Sequence, residues 1–235
     1  MNNTKIQWIR DILKDNYMSE IYPDELELAA LLCSKVCHDV ISPVGAITNG
    51  LEVLDEESDE DMRGFAMDLI RKSATQASAK LQFARLAYGA GGSVGAMIDL
   101  GDAASVTRNY ANDDKLTLNW DSMPIAIGKD YVKILLNMVI VAQHAVPRGG
   151  IIDVTIEDPE MRPTFTLRCS GVGARIPAGA PELIAGTGVE NPIDARSVQP
   201  YYMGMIAKRA KMAISIAQDG DDIILTAKPS EHGQD

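Results

Sequence analysis

The sequence predicts an α+β protein in which a long helical hairpin precedes an α/β sandwich, and two observations lead to this fold class. Apolar residues recur every three or four positions over residues 24–54 and 61–88, which is the period of long amphipathic helices. After a glycine-rich break at 89–95, short β-branched runs alternate with helical runs, as expected where helices pack on a sheet.

The first helix is predicted over residues 24–54, because Asp24 follows Pro23 and acidic residues fill the first turn. The polar run at 55–61 interrupts the apolar pattern, and the second helix follows it. The apolar stripe of the first helix consists of Leu28, Leu32, Val36, Val40, Val44, Ile47, Leu51 and Leu54. The inward positions of the second helix are predicted to be Phe65, Leu69, Ile70, Ala77, Leu81 and Ala84.

A single hairpin cannot bury both of its apolar faces. Two hairpins that pair into a four-helix bundle would bury them, so the pattern predicts a homodimer. The predicted domains are an N-terminal appendage at 1–22 with a short amphipathic helix over 1–17, the dimerisation hairpin at 23–90, a glycine-rich linker at 91–97 and the sandwich at 98–235.

The elements of the sandwich follow from alternation and helical periodicity. Strands are predicted at 115–120, 151–157, 164–169, 213–217 and 222–227. Helices are predicted at 99–112, 129–145 and 198–211.

Composition excludes several classes of function. The formal net charge is −11 and the chain has no basic block, which argues against nucleic acid and anionic membranes as partners. We find no signal peptide and no apolar run near the roughly 20 residues that span a bilayer, so a cytoplasmic protein is expected. Cys33, Cys37 and Cys169 make an odd count, which fits reduced thiols in that compartment.

His38 is the candidate reactive residue. At 100° per residue it lies about 180° from the stripe at Val36 and Val40, so it is predicted to face solvent with Ser42 and Gly45. Gly45 inside a helix costs about 1 kcal/mol relative to alanine, and the nearby Pro43 removes a helical hydrogen bond. Two helix-weakening residues beside an exposed histidine indicate a functional site rather than a surface histidine.

A metal site is the competing interpretation of this region. Cys33 and Cys37 fall near the apolar stripe whereas His38 does not, so the three would not converge on one ion. We therefore expect both cysteines in the core and no metal. His144 is predicted to be structural, and His232 lies in a polar tail.

Residues 38–44, His-Asp-Val-Ile-Ser-Pro-Val, resemble the H-box of sensor histidine kinases. That motif reads His, acid, two variable residues, a small polar residue, Pro and an aliphatic residue; kinases more often have a basic or small polar residue where Ile41 stands. The resemblance implies that His38 accepts a phosphoryl group and that Asp39 orients or activates it. A neutral imidazole is a good nucleophile towards phosphorus.

The second domain resembles the catalytic and ATP-binding domain of the same kinases, with the pocket degraded. Residues 135–142 match the N-box, but Val141 stands where the family has a magnesium-binding Asn. Residues 169–173 match the D-x-G-x-G box, with Cys169 in place of the Asp that binds adenine. Residues 199–205 replace the glycine-rich phosphate loop with bulky side chains.

Together these features resemble the ChpT-type histidine phosphotransferases over about residues 24–228. The resemblance implies a homodimer that accepts phosphate from the receiver domain of a CckA-like hybrid kinase and passes it to CtrA-like and CpdR-like response regulators that control the cell cycle. The receiver brings its own Mg²⁺, so this chain is expected to bind no cofactor. Small residues beside His38 would let a receiver pack closely, and a lysine one turn away would hold phosphate or remain a solvated lysine. The predicted partner-binding residues are Lys35, Ser42, Gly45 and Ala46.

Two other functions are compatible with these motifs. One is an ATP-dependent histidine kinase with a divergent pocket, which nucleotide binding would reveal. The other is a dimer that docks receivers without chemistry, which an acid-labile phosphate on His38 would exclude.

Overall fold

The computed structural model describes residues 21–89, 95–121 and 124–230, so the predicted amphipathic helix at 1–17 lies outside it. The predicted hairpin is confirmed, with helices α1 (Glu25–Glu56) and α2 (Glu60–Ala87). The N-cap of α1 is Asp24, whose carboxylate accepts from the backbone N–H of Glu27 at 2.8 Å, while the Glu27 carboxylate accepts from the Asp24 N–H. This reciprocal pair fixes where the helix begins.

The two helices of the hairpin approach closely at Gly50. A Cβ added to Gly50 would lie 2.7 Å from Cγ1 of Ile70, so only glycine allows this separation. The opposite side of the hairpin is open. Within α1 only Pro43 and Gly50 are buried, and on α2 the predicted inward residues Phe65, Leu69 and Leu81 are exposed in the single chain.

Within the single chain, Phe65, Leu69 and Leu81 are therefore not covered, and Cys33 and Cys37, predicted to lie in the core, are exposed free thiols. Burial of this face in a paired hairpin stays a prediction. The physical reason is shared: α1 has one helical neighbour along most of its length, and no second layer of the same chain covers the remaining apolar surface. Helix α1 is also long and apolar enough to span a bilayer by length and composition alone, although almost none of it is buried. The prediction that no apolar stretch approaches the length of a bilayer span is therefore wrong for α1 by these two criteria.

The predicted α/β sandwich is confirmed. Its strands are β1 (Met97–Asp99), β2 (Leu116–Trp120), β3 (Ala126–Gly128), β4 (Gly150–Glu157), β5 (Thr164–Ser170), β6 (Met212–Asp219) and β7 (Asp222–Pro229). Its helices are α3 (Leu100–Ala111), α4 (Lys129–Ala145), α5 (Ala180–Ala185) and α6 (Val198–Arg209). The short elements β1, β3 and α5 were not predicted, because three to six residues carry too little periodicity to be recognised.

Five strands form the main sheet in the order β2-β4-β5-β7-β6, with β2 and β4 parallel and the other pairs antiparallel. Helix α4 is buried almost throughout and packs between this sheet and the hairpin. The end of α2 belongs to the same core: Phe83 stacks on Tyr110 of α3 with ring centroids 3.9 Å apart, and Ala87 is fully buried. The hairpin and the sandwich therefore share one hydrophobic core in this structure.

Candidate functional site

His38 projects from the middle of α1 into solvent, with 85% of its side chain exposed, in agreement with the helical-wheel prediction. Its Nδ1 lies 3.7 Å from Oδ1 of Asp39, which is longer than a hydrogen bond. The imidazole is therefore accessible to a second protein on its Nε2 side and has a carboxylate close to its other nitrogen.

The Asp39 carboxylate is held by Lys35, one turn earlier on α1. The Lys35 ammonium donates to both carboxylate oxygens, at 2.8 and 2.6 Å, and both side chains are largely buried. Lys35 was predicted to hold phosphate or to be solvated. In the structure its ammonium is paired with Asp39, and the pair fixes the carboxylate beside His38.

A second lysine reaches the backbone of the same residue. Pro43 has no N–H, so the carbonyl of Asp39, four residues earlier, has no helical donor. The ammonium of Lys80 on α2 donates to that carbonyl at 2.8 Å. Sequence reasoning missed Lys80, because a contact between residues 39 and 80 depends on how the two helices align.

The predicted docking residues lie close to His38 on α1. Ser42 and Gly45 are exposed and Ala46 is half-buried. A Cβ added to Gly45 would meet no atom within 4 Å, so this surface is open. The structure thus brings the predicted small residues together on one accessible helix face.

A cleft of about 680 Å³ runs from Asp39 along α2 to the sandwich. Cationic side chains of Arg71, Lys72 and Lys80 line one wall, and Tyr110 and residues 111–114 line the other. The cleft places a partly basic surface of α2 next to the histidine site. No sequence motif indicated it.

His144 on α4 also lies near this site, which its sequence context did not indicate. Partial burial lowers its pKa, and the nearby positive charge of Lys35 lowers it further, while Asp39 opposes both. The predicted structural role of His144 stays a prediction. Among the described residues, we find no group of three or more histidine, cysteine or acidic side chains that could hold a metal ion.

Two positions that correspond to nucleotide contacts in the kinase motifs lie in the hydrophobic core of this chain. Val141 and Cys169 are buried among apolar side chains. Burial raises the pKa of the Cys169 thiol to about 12, so it stays neutral at physiological pH. A cavity of about 470 Å³ lies beside Val141 and is lined by His144 and by several residues between 177 and 200.

A buried polar network joins α4 and α6 to the end of the hairpin. Asn137 donates to the carbonyl of Ala87 at 3.3 Å and accepts from the amide of Gln199. Gln199 in turn accepts from the Tyr88 hydroxyl at 2.5 Å. Burial raises the pKa of Tyr88, so this hydroxyl remains a donor.

The segment before α6 is attached to the hairpin as well. Leu183, Ile193 and Val198 cluster against Leu28, Leu31 and Leu32 of α1. Two of the bulky side chains in residues 199–205 also pack near the hairpin ends: the rings of Tyr201 and Tyr22, which precedes α1, lie 5.8 Å apart, as do those of Tyr202 and Tyr88, which follows α2. The segment that stands in place of the glycine-rich phosphate loop is thus packed against the hairpin.

Comparisons with known proteins find histidine phosphotransferases among the similar sequences and structures. Residues 100–222 match the family model for the histidine phosphotransferase C-terminal domain. The protein phosphotransferase ChpT of Brucella abortus is 48% identical over 204 residues, which cover 86% of this chain and 96% of that protein. The solved structure of a bacterial phosphotransferase superposes with a TM-score of 0.80 at 44% identity, covering 88% of this chain and 98% of the other.

Proposed function

The chain belongs to the histidine phosphotransferase family and is a protein phosphotransferase, and we propose that His38 is the residue that carries the phosphoryl group. The observation that supports this assignment most is the exposure of His38 within the H-box, on the open face of α1. His144 has no comparable motif.

The proposed reaction is two successive in-line transfers. Nε2 of His38 attacks the phosphorus of an aspartyl phosphate on a receiver domain; the N–P bond forms while the acyl O–P bond breaks, and the receiver carboxylate leaves with the electron pair. In the second transfer, a carboxylate of another receiver attacks the phosphorus, and the imidazole leaves. Nδ1 keeps its proton during both attacks, and its N–H can donate a hydrogen bond to the Asp39 carboxylate.

Asp39 is proposed to orient the ring and stabilise the positive charge that develops on it. A small rotation of either side chain would shorten the 3.7 Å separation to a hydrogen bond. Lys35 supports this role by keeping the carboxylate beside Nδ1.

The surface that receives the partner is proposed to include Ser42, Gly45 and Ala46, with Lys35 at its edge. These side chains are too small to obstruct a receiver helix, and the cleft along α2 extends the surface towards the sandwich. By resemblance to the family, the donor is the receiver of a CckA-like hybrid kinase and the acceptors are CtrA-like and CpdR-like response regulators. Each receiver would supply its own Mg²⁺, so this chain needs no cofactor of its own.

We propose that the active form is a homodimer in which two hairpins make a four-helix bundle. The apolar residues left open on α1 and α2, among them Val44, Leu51, Phe65 and Leu69, support this assembly. Isolated exposed apolar residues are common, but a contiguous apolar helix face marks an interaction site. The exposed free thiols of Cys33 and Cys37 suit a reducing cytoplasm.

The direct test is incubation with a phosphorylated receiver domain, followed by acid and base treatment of the labelled protein. Phosphohistidine is labile in acid and stable in base, so this chain should acquire a label with that profile. The label should disappear in His38→Ala and persist in His144→Ala. A label that survives in His38→Ala but is lost in His144→Ala would overturn the assignment.

A further inference from the structure

We infer that a cationic cleft at the N-terminal end of α4, separate from the phosphotransfer site, binds a small molecule that carries phosphate groups. The cleft has a volume of about 730 Å³. Among the described residues, its lining includes the basic side chains of Lys129, Lys133, Arg209 and Lys211 and the carboxylate of Asp130. In a chain whose formal net charge is −11, this concentration of positive charge is distinctive.

Lys133 is the residue that points to a ligand. It lies in the second turn of α4, is only 6% exposed, and its ammonium makes no hydrogen bond or ion pair with a side chain that the structure describes. Burial lowers its pKa, and the positive charges of Arg209 and Lys129 lower it further, against the opposing effect of Asp130. The ammonium lines the cleft, so an anion there would gain a charge-assisted hydrogen bond from a lysine whose stem is already held in place by burial.

Neighbouring groups favour the same kind of ligand. Helix α4 has 17 residues, and its N-cap, Gly128, provides no side-chain cap, so its first turn directs partial positive charge at the cleft. Asp130 forms its ion pair with Arg209 at 2.7 Å, so its charge is shared between Arg209 and Lys133. Lys211, which follows α6, has a φ of 54°, a left-handed conformation that favours glycine at a helix end.

The shape of the cleft favours a small molecule over a protein surface. Its volume falls within the roughly 300–1,000 Å³ typical of ligand pockets. The rings of Tyr88 and Tyr131 form part of the lining and offer apolar contact to the non-phosphate part of such a ligand. Tyr88 also bonds Gln199, so the ligand would bind where the hairpin joins the sandwich.

The test uses inorganic pyrophosphate as the probe and the full chain as the protein, with binding followed by calorimetry. Wild-type protein should bind pyrophosphate saturably, and Lys133→Met should weaken binding at least tenfold. Lys115→Met, on the exposed loop before β2, is the matched control and should bind as wild type does. Arg196→Gln, beside the cavity at Val141, should also bind normally, which distinguishes the two cavities.

Stability separates loss of the site from loss of the fold. Because methionine puts an apolar side chain of similar length in a position that is only 6% exposed, Lys133→Met should unfold at the same temperature as wild type or higher in the absence of pyrophosphate. Lys211→Gly, which relieves the positive φ, should fold normally and also bind pyrophosphate more weakly. Absence of binding to wild type at millimolar pyrophosphate, or unchanged binding in both variants, would overturn the inference without affecting the assignment of His38.

Discussion

The ammonium of Lys80 on α2 donates to the backbone carbonyl of Asp39 on α1 at 2.8 Å, and it occupies the place of the helical N–H that Pro43 lacks. A proline inside a helix normally leaves such a carbonyl unpaired. Here the second helix of the hairpin supplies the donor to the carbonyl of Asp39, the residue that follows His38. The H-box proline and Lys80 thus form one unit that fixes the backbone of the site.

This unit predicts a coupled effect on stability. Lys80→Met leaves the Asp39 carbonyl without its donor and should lower the free energy of unfolding by about 1–3 kcal/mol. In a Pro43→Ala background, the substituted residue has a backbone N–H that can bond the same carbonyl, so Lys80→Met should cost about 1 kcal/mol less. Urea denaturation of the four proteins measures this, with Lys72→Met as the control for removing a neighbouring lysine. Equal costs in both backgrounds would show that the two residues do not act together.

The local features of this site were predictable from sequence, whereas its long-range contacts were not. The exposure of His38 follows from helical periodicity, and the start of α1 follows from Asp24 and Glu27, since both depend on residues within one or two turns. The bond from Lys80 depends on the alignment of two helices, which periodicity leaves undetermined. The core position predicted for Cys33 failed because a stripe of apolar residues does not say which molecule covers it.

The two replaced kinase motif positions show the same difference between local features, which sequence predicts, and long-range contacts, which it does not. The replacement of two ligands by Val141 and Cys169 could be recognised directly in the motifs. The network from Asn137 through Gln199 to Tyr88 could not, because its members come from separate segments that meet only in the folded chain. The motifs therefore indicated which kinase residues are replaced, and the structure shows what surrounds the replacements.

Assembly of the hairpin can be tested on its open face. Phe65 is 72% exposed and Leu69 lies one turn later, so carboxylates at both positions would be buried without partners in a four-helix bundle. Phe65→Asp with Leu69→Asp should convert a dimer into a monomer at micromolar concentration in light scattering. Ala74→Asp with Ser78→Asp adds the same charge about half a turn around α2 and should leave the dimer intact. A monomeric wild-type protein, or dissociation by both pairs, would contradict the proposed bundle.

Receiver docking can be separated from the chemistry of His38 at Gly45. A Cβ at this position meets nothing within the chain, so Gly45→Trp should fold, while its indole projects into the surface that a receiver helix would occupy. Transfer from a phosphorylated receiver should slow by tenfold or more, whereas labelling of His38 by phosphoramidate should be unchanged. Gly45→Ala, which adds only a methyl group, is the matched control and should behave as wild type with both donors. Equal loss with both donors would indicate damage to α1 instead of a blocked surface.

Nucleotide chemistry distinguishes the relay from a divergent kinase. An Asp that hydrogen-bonds adenine contributes roughly 1.5–3 kcal/mol, and the neutral thiol of Cys169 is a weak acceptor that cannot replace it. Val141 offers magnesium no oxygen ligand. Losses of this size at two contacts weaken binding by at least about a hundredfold, since each 1.4 kcal/mol is a factor of about ten.

Binding of Mg-ATP should therefore be measured in Lys133→Met, so that phosphate groups bound in the cationic cleft contribute less heat. We expect no saturable binding at millimolar Mg-ATP in this variant and no transfer of label from the γ-phosphate to His38 in the wild type. Gln199→Ala opens the network that fastens α6 to the hairpin, but it restores neither the magnesium ligand nor the adenine acceptor, so it should remain inactive with ATP as well. Label from the γ-phosphate on His38, lost in His38→Ala, would make this chain a kinase.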